Sequence, residues 1–215
     1  VDIVAFYHCW CDGDWTEPVL EHVDALLDSD FTAPVYLGLV GADLWRGAAK
    51  DAFDLLNEQP QRLLDVRVAV EADEGFEQVT LKAVREYAQE HDGAVLYCHT
   101  KGAQDVTDFR AKWRRSMTRL VVRDWRINLK HLARFDAVGC HWLTREVYGP
   151  KGFEQEFSDG TPFFGGNFWM ARCDYLRTLP EPSTRSRFDA ERWIGLGQPT
   201  VKDLNKGWPA AELFV

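Results

Sequence analysis

The residues best suited to chemistry cluster in a few short stretches. The densest is VLYCHTKGAQ, Val95 to Gln104. Val95, Leu96 and Tyr97 suit a sheet. His99, Thr100, Lys101 and Gly102 then place two titratable side chains, a hydroxyl and a glycine at its end. A lysine after a strand offers a mobile ammonium to phosphate oxygens, and Gly102 lets a backbone approach closely. The plainer reading of the same Lys-Gly pair is a solvated turn. In FGGNFW, Phe164 to Trp169, Gly165 and Gly166 precede Asn167, which donates and accepts, and Trp169, which has a flat face. That stretch reads as a ligand loop or as a bulge before a helix. In RFDAERW, Arg187 to Trp193, Arg187 and Glu191 lie four apart on a helix. They form a surface ion pair, or Glu191 is a base in a cleft. HCWCDGDW sets His8, Trp10, Asp12 and Asp14 after a first strand, to hold a nucleoside or to cap a loop. Two carboxylates are too few to define a metal site.

The elements that must position these residues alternate. DIVAFYHCW reads as a strand. A helix follows over EPVLEHVDALLDSD, with Thr16 as its cap and Pro18 tolerated in its first turn. APVYLGLVG and LLDVRVAVEA read as strands. FEQVTLKAVREYAQEH carries Phe76, Val79, Leu81, Val84 and Tyr87 at helical spacing, and AVLYCHT is a fourth strand. Strands separated by helices predict an α/β fold with a mainly parallel sheet, whose ligands sit at the carboxyl ends of the strands. His99 to Gly102 fall at such an end. Residues His8 to Trp10, Glu71 to Asp73 and Lys101 are therefore predicted to line one cleft.

A long helix is predicted over Phe109 to Arg134, with Trp113, Met117, Leu120, Val121 and Ile127 on its apolar face. Lys112, Arg115, Arg119, Arg123 and Arg126 form a basic stripe, which is either a solvated face or a site for an anionic partner. Arg114 belongs to neither group and falls at the apolar edge, where a charge needs a partner. FDAVGCHWL is another strand. EVYGPKGFEQEFSDGTP is a loop, and short helical pieces end FFGGNFWMARCDYLRTLP and fill RFDAERWIGLG.

At 215 residues, 46% hydrophobic and 27% charged, the chain reads as one domain that buries roughly 70% of its unfolded surface. No apolar run approaches the ~20 residues of a membrane span, and the start does not resemble a signal peptide. Five cysteines without a C-x-x-C pair read as reduced thiols of a cytoplasmic protein; Cys9 and Cys11 make a poor metal pair. A net charge of −9 argues against a diffuse duplex-binding surface. G-x-G-x-x-G, Walker, G-x-S-x-G and H-E-x-x-H motifs are absent from the sequence.

The ordered set FEQVTL, LYCHTKG, WRRSM, DAVGCHW, FGGNFWMARCDYLRTLP and RFDAERWIG resembles a group of small bacterial and viral glycosyltransferases, distantly similar to the rhamnan-synthesis glycosyltransferases. The match runs from about Phe76 to Gly195. The resemblance implies a GT-A-like fold: a nucleotide-sugar-binding half over about 1–105 and an acceptor half over about 106–215. It implies an enzyme that moves a hexose from a nucleotide-sugar, of the UDP or dTDP type, to a glycan, protein or nucleic-acid hydroxyl, with inversion. Glu191 would take the acceptor's proton. Lys101 and His99 would stabilise the leaving diphosphate. His8, Cys9, Trp10, Glu71, Asp73, Thr100, Gly102 and Arg114 would hold the donor. Gly165, Gly166, Asn167, Phe168, Trp169 and Trp193 would face the acceptor. The GT-A plan has a metal-holding D-x-D where this chain has His99, Thr100 and Lys101, so no divalent metal is expected to be required. Two rivals remain: a phage-type enzyme acting on hydroxymethylated DNA bases, which the basic stripe favours, and a glycan-binding module without turnover.

Overall fold

The computed structural model describes residues 2–57, 64–101, 103, 107–144 and 160–205. The first half alternates strand and helix: β1 (Ile3–Trp10), α1 (Thr16–Asp28), β2 (Val35–Val40), α2 (Asp43–Asn57), β3 (Val66–Ala72), α3 (Gln78–Glu90) and β4 (Ala94–His99). It continues through α4 (Asp108–Met117), a π-helical stretch (Thr118–Arg123) and α5 (Trp125–His131) to β5 (Ala137–Gly139) and β6 (Trp142–Leu143). Then come β7 (Phe163–Phe164), β8 (Trp169–Arg172), α6 (Cys173–Leu176), α7 (Arg187–Arg192), a 3-10 turn (Trp193–Gly195) and β9 (Val201–Asp203).

One seven-stranded sheet runs β3-β2-β1-β4-β8-β5-β9. β1 to β4 are parallel, β8 lies antiparallel between β4 and β5, and β9 is parallel to β5. β6 and β7 form a separate ribbon. The two halves expected from the sequence thus share one sheet, because β8 pairs directly with β4.

Period-two alternation sorts each central strand between two cores. Ala5, Tyr7 and Cys9 of β1, with Leu96 and Cys98 of β4, pack toward Val19, Val23, Trp113 and Met117 of α1 and α4. Val4 and Phe6, with Val95 and Tyr97, pack toward Leu81, Val84 and Ala88 of α3 and toward Trp169 and Trp193. At Gly38 of β2 an added Cβ would meet Thr80 Oγ1 of α3 at 1.9 Å, so only glycine lets that helix lie so close.

Several details differ from the sequence reading. α2, β7, β8 and β9 were not foreseen, and the one strand expected over FDAVGCHWL is two, β5 and β6, in different sheets. The long helix is divided by the wide turn at Thr118–Arg123. Thr118 Oγ1 lies 2.9 Å from the Arg114 carbonyl, and Asn128 Nδ2 donates to the carbonyls of Leu120 and Val121 at 2.7 and 3.3 Å. These side chains satisfy backbone groups that a π turn displaces. Beyond it Ile127 is 54% exposed rather than core. The five cations of the stripe are exposed, but the π turn interrupts their regular spacing. Thr16 is the first helical residue instead of the cap; Trp15 precedes it without a side-chain bond. Gly102 and residues 146–159 of the expected loop lie outside the described residues, as does the Arg187 side chain.

Candidate active site

β1 to β4 run parallel, so their carboxyl ends reach one edge of the sheet. His8, Trp10, Glu71, Asp73, Thr100 and Lys101 all come to that edge. Thr100 ties its two central strands together: its N–H donates to the His8 carbonyl at 3.0 Å, and its Oγ1 accepts from the Trp10 N–H at 2.8 Å. Trp10 lies nearly parallel to Phe76, with centroids 6.5 Å apart and planes 14° apart. Phe76, expected on the apolar side of α3, is 42% exposed.

On the α3 face of the same edge the polar groups lock into one chain of bonds. The Trp169 indole can only donate, and its Nε1 donates to Asn167 Oδ1 at 2.7 Å. Asn167 Nδ2 is thereby turned to Glu77 Oε2, at 2.6 Å. The same carboxylate oxygen accepts from Tyr97 Oη at 3.0 Å. The second, Glu77 Oε1, lies 3.6 Å from His99 Nδ1. His99 Nε2 sits 2.9 Å from the Gly166 carbonyl. The turn that carries Asn167 needs its glycine: Gly166 has φ +88°, and an added Cβ would meet Met117 Sδ at 2.6 Å. Asn167 itself is left-handed at φ +55°, a conformation asparagine tolerates.

Burial is the main electrostatic influence here. It lowers His99 to about 4, helped by Lys101 and opposed by the Gly166 carbonyl and by Glu191. It also lowers His8 to about 4; Glu77 opposes this and His99 adds to it. Tyr97 is pushed well up, by burial first and then by Glu77, with a smaller contribution from Glu191.

Lys101 leaves the sheet toward the other face, where its Nζ lies 4.4 Å from the centre of the Trp113 ring. Arg114 supports that bend from below: its guanidinium donates to the Lys101 carbonyl at 3.2 Å. It also donates to Glu17 and Glu21 of α1, each at 2.8 Å. These are the partners that its place at an apolar edge demanded. All of these bonds hold the buried guanidinium within the protein.

The end of β3 is occupied differently. Asp73 and Glu71 face Arg46 of α2, which also reaches Asp43 at 3.1 Å and the Gly41 carbonyl at 2.6 Å.

Other predicted contacts need correction. The Cys9 side chain is buried in the α1–α4 core, as its position in the strand requires. Phe168, Trp169 and Trp193 are fully buried, and Trp193 Nε1 donates to the Pro180 carbonyl at 2.8 Å. Asn167 is buried and spent on Glu77 and Trp169. These side chains are packed into the interior and bonded within it. His8 is buried too, with Nδ1 2.8 Å from Thr80 Oγ1. Glu77 was missed, because in FEQVTL it reads as an ordinary first-turn acid.

The D-x-D position does not suit a divalent metal. His99 Nε2 is committed to a carbonyl, Thr100 to the Trp10 amide, and Lys101 brings a cation where oxygen anions are needed. Among the described residues no group of three or more His, Cys, Asp or Glu side chains could hold a metal ion.

A seven-stranded mixed sheet with helices on both faces and a polar edge at the ends of β1 and β4 defines a GT-A-like fold. The chain belongs to the family described as a domain of unknown function (DUF8361), which it matches over residues 6–131. That segment runs from β1 to the end of α5. It includes Glu77, His99, Lys101 and Arg114. Among solved structures, the chain superposes on residues 1–349 of S. aureus TarS with a TM-score of 0.50 and 9% identity, covering 96% of this chain and 59% of that one. It superposes on an active-site mutant of LgtC with a TM-score of 0.51 and 13% identity, covering 93% and 71%. LgtC is described as a galactosyltransferase. The chain thus spans about three fifths of the TarS fragment. At these identities the likeness is one of fold. No curated protein matches the sequence. Among the described residues no helix is long and apolar enough to cross a membrane.

Proposed function

We propose that this protein is a glycosyltransferase that transfers a sugar from a nucleotide-sugar to an acceptor hydroxyl. The observation that supports the reading is that Trp10, His99 and Lys101 come to one strand edge of a GT-A-like sheet. Trp10 and Phe76 give a flat aromatic surface for a nucleobase. Lys101, held by Arg114 and Trp113, gives a fixed positive charge for the diphosphate. The acceptor oxygen attacks the anomeric carbon as the bond from that carbon to phosphate breaks. The nucleoside diphosphate leaves with the bonding electrons, and Glu191 takes the hydroxyl proton. Lys101 stabilises the charge developing on the leaving group in the role a metal fills in the general GT-A plan.

A second reading has the exposed basic stripe from Lys112 to Arg126 guiding an anionic acceptor such as modified DNA. The test is incubation with a panel of UDP- and dTDP-sugars, measuring released nucleoside diphosphate with and without added glycans and hydroxymethylated DNA. Release from one donor supports the enzyme, and stimulation by DNA that fades with salt supports the second reading. Glycan binding without release from any donor would contradict both in favour of a binding module.

A further inference from the structure

Glu77 lies at the centre of the strand-end network. Hydrogen-bond chemistry also fixes the state of its neighbour. A carbonyl only accepts, so the 2.9 Å contact between His99 Nε2 and Gly166 O requires the proton on Nε2. In the neutral imidazole the bare nitrogen is then Nδ1. It faces Glu77 Oε1 at 3.6 Å. The other carboxylate oxygen already accepts from Tyr97 and Asn167, an arrangement that suits the ionised carboxylate. A bare nitrogen thus faces an anion across a gap that one proton would close.

We propose that Glu77 and His99 form a single proton-carrying pair, with Glu77 as a positioning residue, and that a diphosphate arriving at the strand end loads a solvent proton onto His99 Nδ1. The step balances: neutral imidazole, carboxylate and one proton become an imidazolium–carboxylate ion pair. The cleft gains one positive charge as the anion arrives, beside Lys101. The charged and titratable groups around the ring are Glu77 from the start of α3, Glu191 from α7, Lys101 from its own segment, His8 from β1 and His22 from α1. Burial and Lys101 favour the neutral ring. An added diphosphate offsets the Lys101 repulsion. Because Glu77 also holds Asn167, the same carboxylate connects the glycine turn to the donor side. The loading step rests on the nucleotide-sugar reading; the pair itself does not.

The test is nitrogen NMR of the histidine side chains, with His99 assigned by its loss in His99→Gln. In the ligand-free parent at about pH 7, the ring should be neutral with its proton on Nε2. Glu77→Gln keeps an oxygen for Tyr97 and Asn167 and turns an amide donor onto Nδ1. It should lower the proton affinity of His99 by about tenfold or more. UDP or dTDP should raise that affinity by about tenfold in the parent and leave it unraised in Glu77→Gln. A proton on Nδ1 with Nε2 bare in the free parent, or an unchanged affinity in Glu77→Gln, overturns the pair, and protons on both nitrogens in the free parent overturn loading alone. The first of these needs no variant, so it decides even if Glu77→Gln fails to fold. A nucleotide that binds without raising the affinity overturns loading alone. Nucleotides that shift no resonance overturn both the donor reading and loading, while the pair stands on its ligand-free results.

Discussion

Two neighbouring parts of one sheet edge use similar charges in opposite ways. At the end of β3, Arg46 faces Asp43, Glu71 and Asp73, and Asp73 is 81% exposed. At the end of β4, Glu77 is 14% exposed, and each of its oxygens faces a buried polar group. Water can replace each of the three carboxylates around the largely buried Arg46 in the first cluster, whereas it cannot readily replace the partners in the second. Exposed ion pairs contribute little for that reason, and a buried network becomes costly once one member is missing. The difference teaches where to look for function on this edge. The β3 end is expected to tolerate change in its exposed carboxylates, while the β1–β4 end holds its groups in one arrangement.

The largest effect that would sharpen this contrast is on turnover. Glu191→Gln keeps shape but cannot accept a proton at neutral pH, so kcat should fall by about 10²–10⁴-fold with donor affinity nearly unchanged. Near-normal kcat, or a product that retains the donor's anomeric configuration, removes Glu191 as the base.

Next is stability. Glu77→Ala leaves the Tyr97 hydroxyl and the Asn167 amide without their acceptor and should cost about 2–5 kcal/mol. Asp73→Ala should cost below about 1 kcal/mol. Urea unfolding of both variants checks this, and equal losses would erase the distinction between the two ends.

The pH dependence is smaller. His8 and His99 are held near 4 when folded, against an ordinary value of 6.5. Between those values the unfolded chain binds more protons than the folded one. Stability is therefore complete above about pH 6.5 and declines as pH falls toward 4. The loss between about pH 6.5 and pH 5 should be on the order of 1–2 kcal/mol per histidine. His8→Gln should flatten the decline, and an unchanged slope would show that His8 is not held neutral. The smallest expected effect is none at all: donor turnover should survive EDTA. Loss restored by manganese would contradict the role given to Lys101 and direct attention to Asp12 and Asp14.

The sequence made the β1–β4 framework legible, because Val- and Leu-rich runs alternate there with a helical period. α2 was hidden by a thin apolar stripe, in which Ala49 and Phe53 reach the core while Leu44 and Trp45 stay exposed. β8 was hidden because a short strand buried on both faces has no alternation to read. His99 and Lys101 were visible as chemistry at a strand end. The burial of Phe168, Trp169 and Trp193 was not, since an aromatic side chain looks the same in sequence whether it faces a ligand or a core. Glu77 was invisible for the opposite reason: its partners lie 20 and 90 residues away.

The central claim is that the ends of β1 and β4 bind a nucleotide-sugar, and thermal unfolding tests it most directly. A matching donor at ~100 times its dissociation constant should add about 2.7 kcal/mol to the parent. Lys101→Ala and Trp10→Ala should lose most of that gain, while Asp73→Ala should keep it. A panel in which no nucleotide-sugar stabilises the parent, or in which Lys101→Ala and Trp10→Ala are stabilised as fully as the parent, would contradict the account.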